Sequence, residues 1–421
     1  MTAVPRQMTL GAFLWATGHH IAAWRHPKAH VTAGIDIDHY IQLARMAEAA
    51  KFDMIFCEDA AGLREANVGI ASQTSRSIGF EPISLLSALA VQTSRIGLVS
   101  TASTSYNEPY GLARTFLSLD HLSGGRAGWN LVTSASPIEA ANFGSTGLRP
   151  HADRYERARE FAEVVAELWR GKRDGASSHD GQSFSVRDPL DLPQSPQGAP
   201  VLVQAGASDI GRDLAARTAD VVFTAAQTFE EAKAFYDDLK GRLAAYGREP
   251  DDIKIMPGVA PVVAETAAQA QEKYEALQEL IPDDVGVALL SSYLSISDLG
   301  RYPIDGPLPE LPPSEGMQSR QALVIEQSRR ANLSIRQLAR HFAGARGHWR
   351  IVGTAAQVAD ELQARFEGGA ADGFNVMPSY FPGELDAFAT LVVPELQRRG
   401  LFRKDYEGRT LRDHLGLKRP A

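Results

Sequence analysis

Short apolar runs rich in β-branched residues alternate along the chain with longer stretches of helical period, the signature of strand–helix units feeding a parallel sheet. MTLGAFLW at 8–15 reads as a first strand, and IDIDHYIQLARMAEAAK at 35–51 as a helix turning Ile41, Leu43, Ala44 and Ala47 inward. DMIFC at 53–57 is a second strand. EPISLLSALAVQTS at 81–94 opens on an acid and a proline, a favourable first helical turn, and runs into a third strand, RIGLVST at 95–101. A helix over 108–122 and the strand RAGWNLVT at 126–133 repeat the unit. A helix over 152–171 and a polar stretch to 199 precede VLVQAG at 201–206, followed by a helix over 209–217, VVFTA at 221–225, a helix over 229–246 and IKIMPGVAPVVA at 253–264. Beyond a helix over 266–281 the chain reads as irregular and proline-rich over 282–315. Further helices run through 343 and over 355–367, and GFNVMP at 373–378 is an eighth strand.

Eight strands with interposed helices suit a closed α/β fold, the (β/α)8 or TIM barrel, as a single domain over 1–421. The two long interruptions, about 135–199 after strand four and 282–345 after strand seven, then become insertions at the C-terminal rim. An open doubly wound sheet is the competing arrangement. The charged, irregular tail 401–421 is expected to wrap a partner subunit.

Composition narrows the function more than the fold. With 44% hydrophobic and 22% charged residues, the chain can build a large core and is not disordered as a whole. Its net charge of -8 is dispersed, and no basic cluster is interleaved with aromatics, which argues against nucleic acid as a partner. Cys57 is the sole cysteine, so neither an internal disulfide nor a cysteine-based metal site can form, and no metal is expected. The N-terminus lacks an export pattern and no run of 18 apolar residues occurs, so a cytoplasmic protein without a membrane partner is expected.

The motifs G-x-x-x-x-G-K-[ST], G-x-G-x-x-G, H-E-x-x-H and G-x-S-x-G are absent where they would carry chemistry. In a barrel the functional side chains project from the C-terminal strand ends. Those ends carry Gly18-His19-His20, Glu58-Asp59, Thr101 to Thr104, Asn130 and Ser134, and Gly206-Ala207-Ser208, a polar ring beside Phe13, Phe56, Phe223 and Val376. An aromatic-walled cup with polar points suits a flat heterocycle. AGASDIG at 205–211 places small residues and a hydroxyl at a helix start, where free N–H groups attract phosphate, although a plain Ser208 N-cap explains the same letters. His151 and Tyr155, spaced i, i+4, offer the same anion two more donors, or else simply pack.

Several stretches together resemble the bacterial-luciferase-like flavin monooxygenases, in the branch of nitrilotriacetate monooxygenase component A, dibenzothiophene sulfone monooxygenase and long-chain alkane monooxygenase. They are GHHIAAWRHP at 18–27, FDMIFCED at 52–59, EPISLLSALA at 81–90, STSYNEPYGLAR at 103–114, SGGRAGWNLVTS at 123–134, HADRYERA at 151–158 and PVLVQAGASDIG at 200–211, with VGTAAQVADEL and DGFNVMP near the end. The resemblance implies an oxygenase that uses reduced FMN (FMNH2) and O2. Through a flavin peroxide it would insert one oxygen atom into a small organic substrate, with sulfur- or nitrogen-containing and xenobiotic compounds among those the resemblance implies. A separate NAD(P)H:FMN reductase is the implied partner, and a homodimer or homotetramer the implied assembly.

By the same resemblance Asp59, Thr101, His151, Tyr155 and Ser208 bind FMN, the last three at its phosphate. Asn130, at a strand end, is counted with them. His20 and Ser134 lie near the reactive face, and Phe13, Phe56, Phe223 and Val376 line the substrate pocket. The late histidine of some relatives has no counterpart in SEGMQSR at 314–320, which leaves His341 and His348 as candidates. Within the superfamily the alternative is an F420-dependent hydride-transferring oxidoreductase. A barrel that binds flavin without catalysis is the other.

Overall fold

A computed structural model describes residues 6–64, 68–74, 79–145, 147–171, 179–294, 296, 299–311 and 318–420. Strands β1 (Thr9–Leu14), β2 (Met54–Cys57), β3 (Gly97–Ser103), β4 (Ala127–Val132), β5 (Val201–Gln204), β6 (Val221–Thr224) and β7 (Lys254–Val263) pair in chain order, all parallel. A ninth strand, β9 (Gly373–Val376), pairs with both β7 and β1 and closes an eight-stranded barrel. The helices that position the rim are α1 (Ile37–Ala49), α2 (Pro82–Ala90), α3 (Pro109–Ser123), α4 (His151–Arg170), α5 (Asp209–Thr218), α6 (Phe229–Arg242), α7 (Ala267–Glu279), α8 (Asp283–Leu294), α9 (Gln318–Ala331), α10 (Ile335–Ala345) and α11 (Ala355–Glu367).

Two elements depart from the reading of the sequence. Trp349–Gly353 forms β8, which continues the sheet outside the ring by pairing with Val259–Val263 of β7. Its alternation of buried and half-buried residues is that of a strand with one covered face, but five residues interrupted by an arginine give little periodic signal. The region expected to be irregular from 282 opens instead with α8. Asp283 and Asp284 fill its first turn, where the helix dipole favours acids, and the prolines at 303, 307 and 309 lie downstream of it.

Successive residues of a strand face opposite ways, so each barrel strand serves two cores. Phe13, Met54, Phe56, Val99, Val201, Val203, Val221 and Met256 point into the barrel. Leu10, Ala12, Ile55, Leu98, Phe374 and Val376 point out and pack under the helices with Leu43, Ala44 and Ala47 of α1. That outer core also takes Cys57, whose thiol burial pushes up to about 12, leaving it inert.

The tail 401–420 packs on its own barrel. Leu411 and Leu415, on the short helix Leu411–Leu415, join the interior cluster from the strands' N-terminal end. A Cβ on Gly97 would meet the Leu411 side chain, and one on Gly128 would come within 3.3 Å of it. These glycines therefore open the space that the leucine plugs. Arg403 pairs with Asp53 at 2.5 Å, Arg412 with Asp220 at 2.7 Å, and the Tyr406 hydroxyl donates to Phe52 O at 2.6 Å.

Candidate active site

At the C-terminal mouth, β1, β2 and β6 bring three phenylalanines together. The ring centroids of Phe13 and Phe56 are 4.8 Å apart, those of Phe13 and Phe223 5.7 Å, and those of Phe56 and Phe223 5.6 Å. These expected pocket residues therefore meet. Val376 does not join them, because it lies on the outward face of β9; the next residue, Met377, faces the cup in its place. A one-residue error in strand parity moves a side chain to the other face, and that is the error here.

His348 completes the wall by stacking on Phe223 at 5.0 Å, with ring planes 22° apart. Of the two late histidines it is the one placed at the cup. His341 sits on α10 against Phe342, and burial pushes its pKa down to about 4. Gly258 of β7 permits the convergence. A Cβ there would lie 2.5 Å from His348 Nδ1, 2.8 Å from Phe223 Cε2 and 2.9 Å from Met377 Sδ.

The first loop divides its two histidines. The His19 ring lies 4.4 Å from Phe13 and 5.8 Å from Trp15, inside the aromatic cluster. Its Nε2 donates to Phe13 O at 2.8 Å, which fixes the tautomer and turns Nδ1, as an acceptor, toward Arg346 Nη1 at 3.4 Å. His20, the expected catalytic residue, turns the other way. Its Nδ1 accepts from Ala22 N at 3.2 Å, its ring packs by Gly344 and Gln278, and burial pushes its pKa down to about 4. The letters His19-His20 give no sign of which ring points inward.

Polar groups ring the cup. Thr101 and Asn130 are register partners on β3 and β4; the Thr101 hydroxyl donates to Cys57 O and accepts from Asn130 Nδ2, both at 2.8 Å. Asn130 Oδ1 is buried with no hydrogen-bond partner among the described residues. Ser134, held in a left-handed conformation at φ 43°, donates to Ser103 Oγ at 2.9 Å. Asp59 lines an adjoining cavity with Trp15, Tyr40 and Phe80, and burial holds its carboxyl above the ordinary range.

Three charged residues, of which only Glu58 was named from the sequence, stand between Asp59 and His19. Arg346 holds Glu58 through both guanidinium nitrogens at 3.0 and 3.2 Å, and Arg64 holds the same carboxylate at 2.6 Å. Both guanidinium carbons lie 4.5 Å from the Trp15 ring. The indole is thus in contact with two cations that share one anion. No motif marks them: Glu58 and Arg64 lie on the segment after β2, and Arg346 follows α10.

Ser208, Tyr155 and His151, expected at one anion site, lie near one another. Ser208 caps α5, its hydroxyl accepting from Gly211 N at 3.2 Å. A Cβ on Gly211 would sit 3.1 Å from the Tyr155 hydroxyl and 3.1 Å from Ser208 Oγ, while one on Gly206 would sit 3.0 Å from Gly211 Cα. His151 packs on Tyr155 at 4.8 Å, at the start of α4. Two helix N-termini, two hydroxyls and an imidazole therefore converge around a turn kept open by glycine, an arrangement that fits a phosphate group. Among the described residues no cluster of three or more histidine, cysteine or acidic side chains could hold a metal ion, and no helix is long and apolar enough to cross a membrane.

Fold and rim together are those of a (β/α)8-barrel enzyme with its polar groups at the catalytic end. The family model described as luciferase-like monooxygenase matches residues 13–372. The chain is 48% identical to nitrilotriacetate monooxygenase component A of Aminobacter aminovorans, over 99% of this chain and 97% of that relative. It is 46% identical to N-acetyl-S-(2-succino)cysteine monooxygenase of Bacillus subtilis (strain 168), over 100% and 99%. Among solved structures it resembles EDTA monooxygenase from Chelativorans sp. BNC1, with a TM-score of 0.84 and 32% identity over 98% of this chain and 99% of that one. The chain belongs to the luciferase-like monooxygenase family and is a flavin-dependent monooxygenase.

Proposed function

We propose that the chain is the oxygenase component of a two-component system, receiving reduced FMN from a separate NAD(P)H:FMN reductase and using O2 to oxygenate a small organic substrate. The observation that carries this reading is one rim holding both an aromatic cup and, beside it, a phosphate-sized cradle. Ser208, His151 and Tyr155 would hold the phosphate, and Asp59, Thr101 and Asn130 the polar edge of the ring system. The buried Asn130 Oδ1, without a partner among the described residues, supports that fit because it is open to a donor. Bound reduced FMN would supply the electrons that activate O2 for transfer of one oxygen atom to the substrate.

The protein's part is to exclude water and manage protons. Phe13, Phe56, Phe223 and Met377 form an apolar surface against which a reactive group is shielded from bulk water. His19, rather than His20, is the histidine poised to accept or return a proton there, at an Nδ1 whose orientation the Phe13 carbonyl fixes. Ser134, braced by Ser103, adds a hydroxyl on the opposite strands. The relatives' named substrates, nitrilotriacetate and N-acetyl-S-(2-succino)cysteine, support a substrate among nitrogen- or sulfur-bearing organic acids.

Two cavities adjoin the mouth, about 140 Å³ beside Asp59 and about 10 Å³ beside His19. Both are smaller than the roughly 300 Å³ at the low end of small-molecule sites. Trp15 lines both. The test supplies the purified chain with FMN, NADH and a flavin reductase and follows product from candidate acids with and without O2. Oxygen-dependent product supports the reading; product formed equally without oxygen overturns it in favour of hydride transfer.

A further inference from the structure

Glu139 is buried at the rim, only 7% exposed, on the short helix Pro137–Asn142 that follows β4. Burial holds its carboxyl above the ordinary glutamate range, against the pull of Arg64 and of two hydrogen-bond donors. One donor is Ala61 N, 3.2 Å from Oε1; the other is the Ser134 hydroxyl. Asn142 donates to Ala61 O at 2.8 Å, so the helix grips Ala61 by its N–H and its carbonyl together. A Cβ on Gly62 would lie 3.2 Å from Glu139 N, which shows how closely the segment after β2 packs here. Glu139 therefore ties together two rim segments, one carrying Asp59 and the other Ser134. Asp59 and Tyr106 face the same carboxylate, and its charge adds to the burial that raises both.

Ser134 has one hydrogen to give and two acceptors within reach. Ser103 Oγ lies 2.9 Å away and accepts from Ser105 N at 3.1 Å, so its own hydrogen can point back at Ser134. The Ser134–Ser103 bond thus runs in either direction, and the charge on Glu139 decides which. An ionised carboxylate is the stronger acceptor, because a charge-assisted hydrogen bond is roughly twice as strong as a neutral one. With Glu139 ionised, Ser134 donates to it and accepts from Ser103. With Glu139 protonated, the carboxyl donates to Ser134, whose hydrogen then turns to Ser103 or to the mouth. The left-handed backbone of Ser134, at φ 43°, is a conformation kept only where the surroundings over-determine it, and bonds on two sides do so.

We propose that Glu139 is a positioning residue of the monooxygenase reaction, setting whether Ser134 presents a lone pair or a hydrogen to the mouth. This rests on the reading of Ser134 as a residue at the flavin. A proton held by Glu139 then reaches the mouth through a single hydroxyl. The carboxyl gives its hydrogen to Ser134 Oγ as Ser134 gives its own to an acceptor in the mouth, and Glu139 is left ionised.

The first test needs no flavin. The Glu139 carboxyl is titrated by infrared difference spectroscopy, its band assigned by its absence from Glu139→Gln. Ser134→Ala is expected to move the midpoint up, because a hydrogen bond to the ionised form favours that form; an unchanged midpoint overturns the proposal. The second test loads each protein with reduced FMN, mixes it with oxygenated buffer and follows the return of oxidised FMN between pH 5 and 8. Glu139→Gln keeps the size of the side chain and an oxygen for Ala61 N, but offers Ser134 an N–H where it had an acceptor. Reoxidation is expected to quicken roughly 2- to 10-fold in Glu139→Gln, the worth of one hydrogen bond. It should also lose the acid limb that protonation of Glu139 gives the parent, and adding Glu139→Gln to Ser134→Ala should change nothing further. Additive effects of the two substitutions, or a Glu139→Gln protein that keeps the parent's pH profile, make Glu139 a clamp of Ala61 alone and overturn its role at Ser134. If the parent binds no reduced FMN, the flavin reading has failed, and the titration still decides whether Glu139 directs Ser134.

Discussion

Replacing Gly258 by alanine tests how tightly the cup is built. The added methyl would lie 2.5 Å from His348 Nδ1, 2.8 Å from Phe223 Cε2 and 2.9 Å from Met377 Sδ, all closer than real Cβ atoms come to non-bonded neighbours. None of the three can retreat freely. His348 and Phe223 are stacked on each other at 5.0 Å, and the Met377 amide is tied to Val259 O at 2.8 Å. Overpacking of this kind costs about 1–3 kcal/mol, and with two rings to displace the upper half of that range applies. Unfolding entropy of about 2.1 cal/mol/K per residue amounts to roughly 0.9 kcal/mol/K for a chain of this size, so about 2–3 kcal/mol becomes a drop of about 2–4 °C in the melting temperature. Because the displaced groups wall the cup, product per NADH should fall and hydrogen peroxide rise in the coupled assay. Gly241→Ala is the control, since nothing lies within 4 Å of a Cβ at that position of α6; it should hold or raise stability. A Gly258→Ala protein that melts within 1 °C of the parent and couples normally would show that these three side chains do not converge on Gly258.

Three further outcomes are expected. His19→Ala should leave FMN binding nearly intact while lowering product and raising peroxide, whereas His20→Ala should act mainly on stability; the reverse pattern would return the catalytic role to His20. Leu411→Ala should cost about 2–5 kcal/mol in urea unfolding, since it empties the plug of the barrel floor while leaving the rim untouched; an unchanged midpoint would mean that the tail does not seat as described. Acid should weaken the fold through His20: with its pKa lowered from 6.5 to about 4, its contribution is complete above pH 6.5 and is lost as the pH falls toward 4, about 3 kcal/mol in all. Asp53, raised to about 6 by burial, works in the opposite sense, becoming less costly as it protonates below that pH, so the comparison is between the parent and His20→Gln at pH 7.5 and 5. Equal pH dependence in the two would remove His20 as the cause.

The legible parts of this chain were those with a period. Seven strands of the ring in a row, β1 to β7, fall where apolar runs predicted them, and the closing strand β9 does too, because each is buried on both faces and reads as a continuous apolar segment. The Ser208 cap and the His151–Tyr155 contact were legible because helix N-terminal chemistry is local: Ser208 and Gly211 are three residues apart, and His151 and Tyr155 four. What escaped was set by tertiary contact. Strand β8 needs β7 beside it to be a strand at all. Val376 and Met377 differ by one position, and only the register of β9 against β7 decides which faces inward. Glu58, Arg64 and Arg346 meet over Trp15 from loops separated by up to 288 residues, a distance no local pattern spans.

The course of β7 separates the wall of the mouth from its floor. Its first residues close the ring against β6, Gly258 and Val259 pair with β9, and from Val259 onward it follows β8 out of the ring. At the point of departure the wall of the mouth is no longer strand backbone but side chains: Met377 from the end of β9, and His348 and Arg346 from the turn that follows the 282–345 insertion. The floor, Phe13 and Phe56, and the cradle, Ser208 and Tyr155, lie on elements that this insertion does not form. Variation in the insertion therefore redraws the wall that a substrate meets, while the phenylalanine floor and the anion cradle that would hold the flavin stay as the barrel strands and α4 and α5 set them.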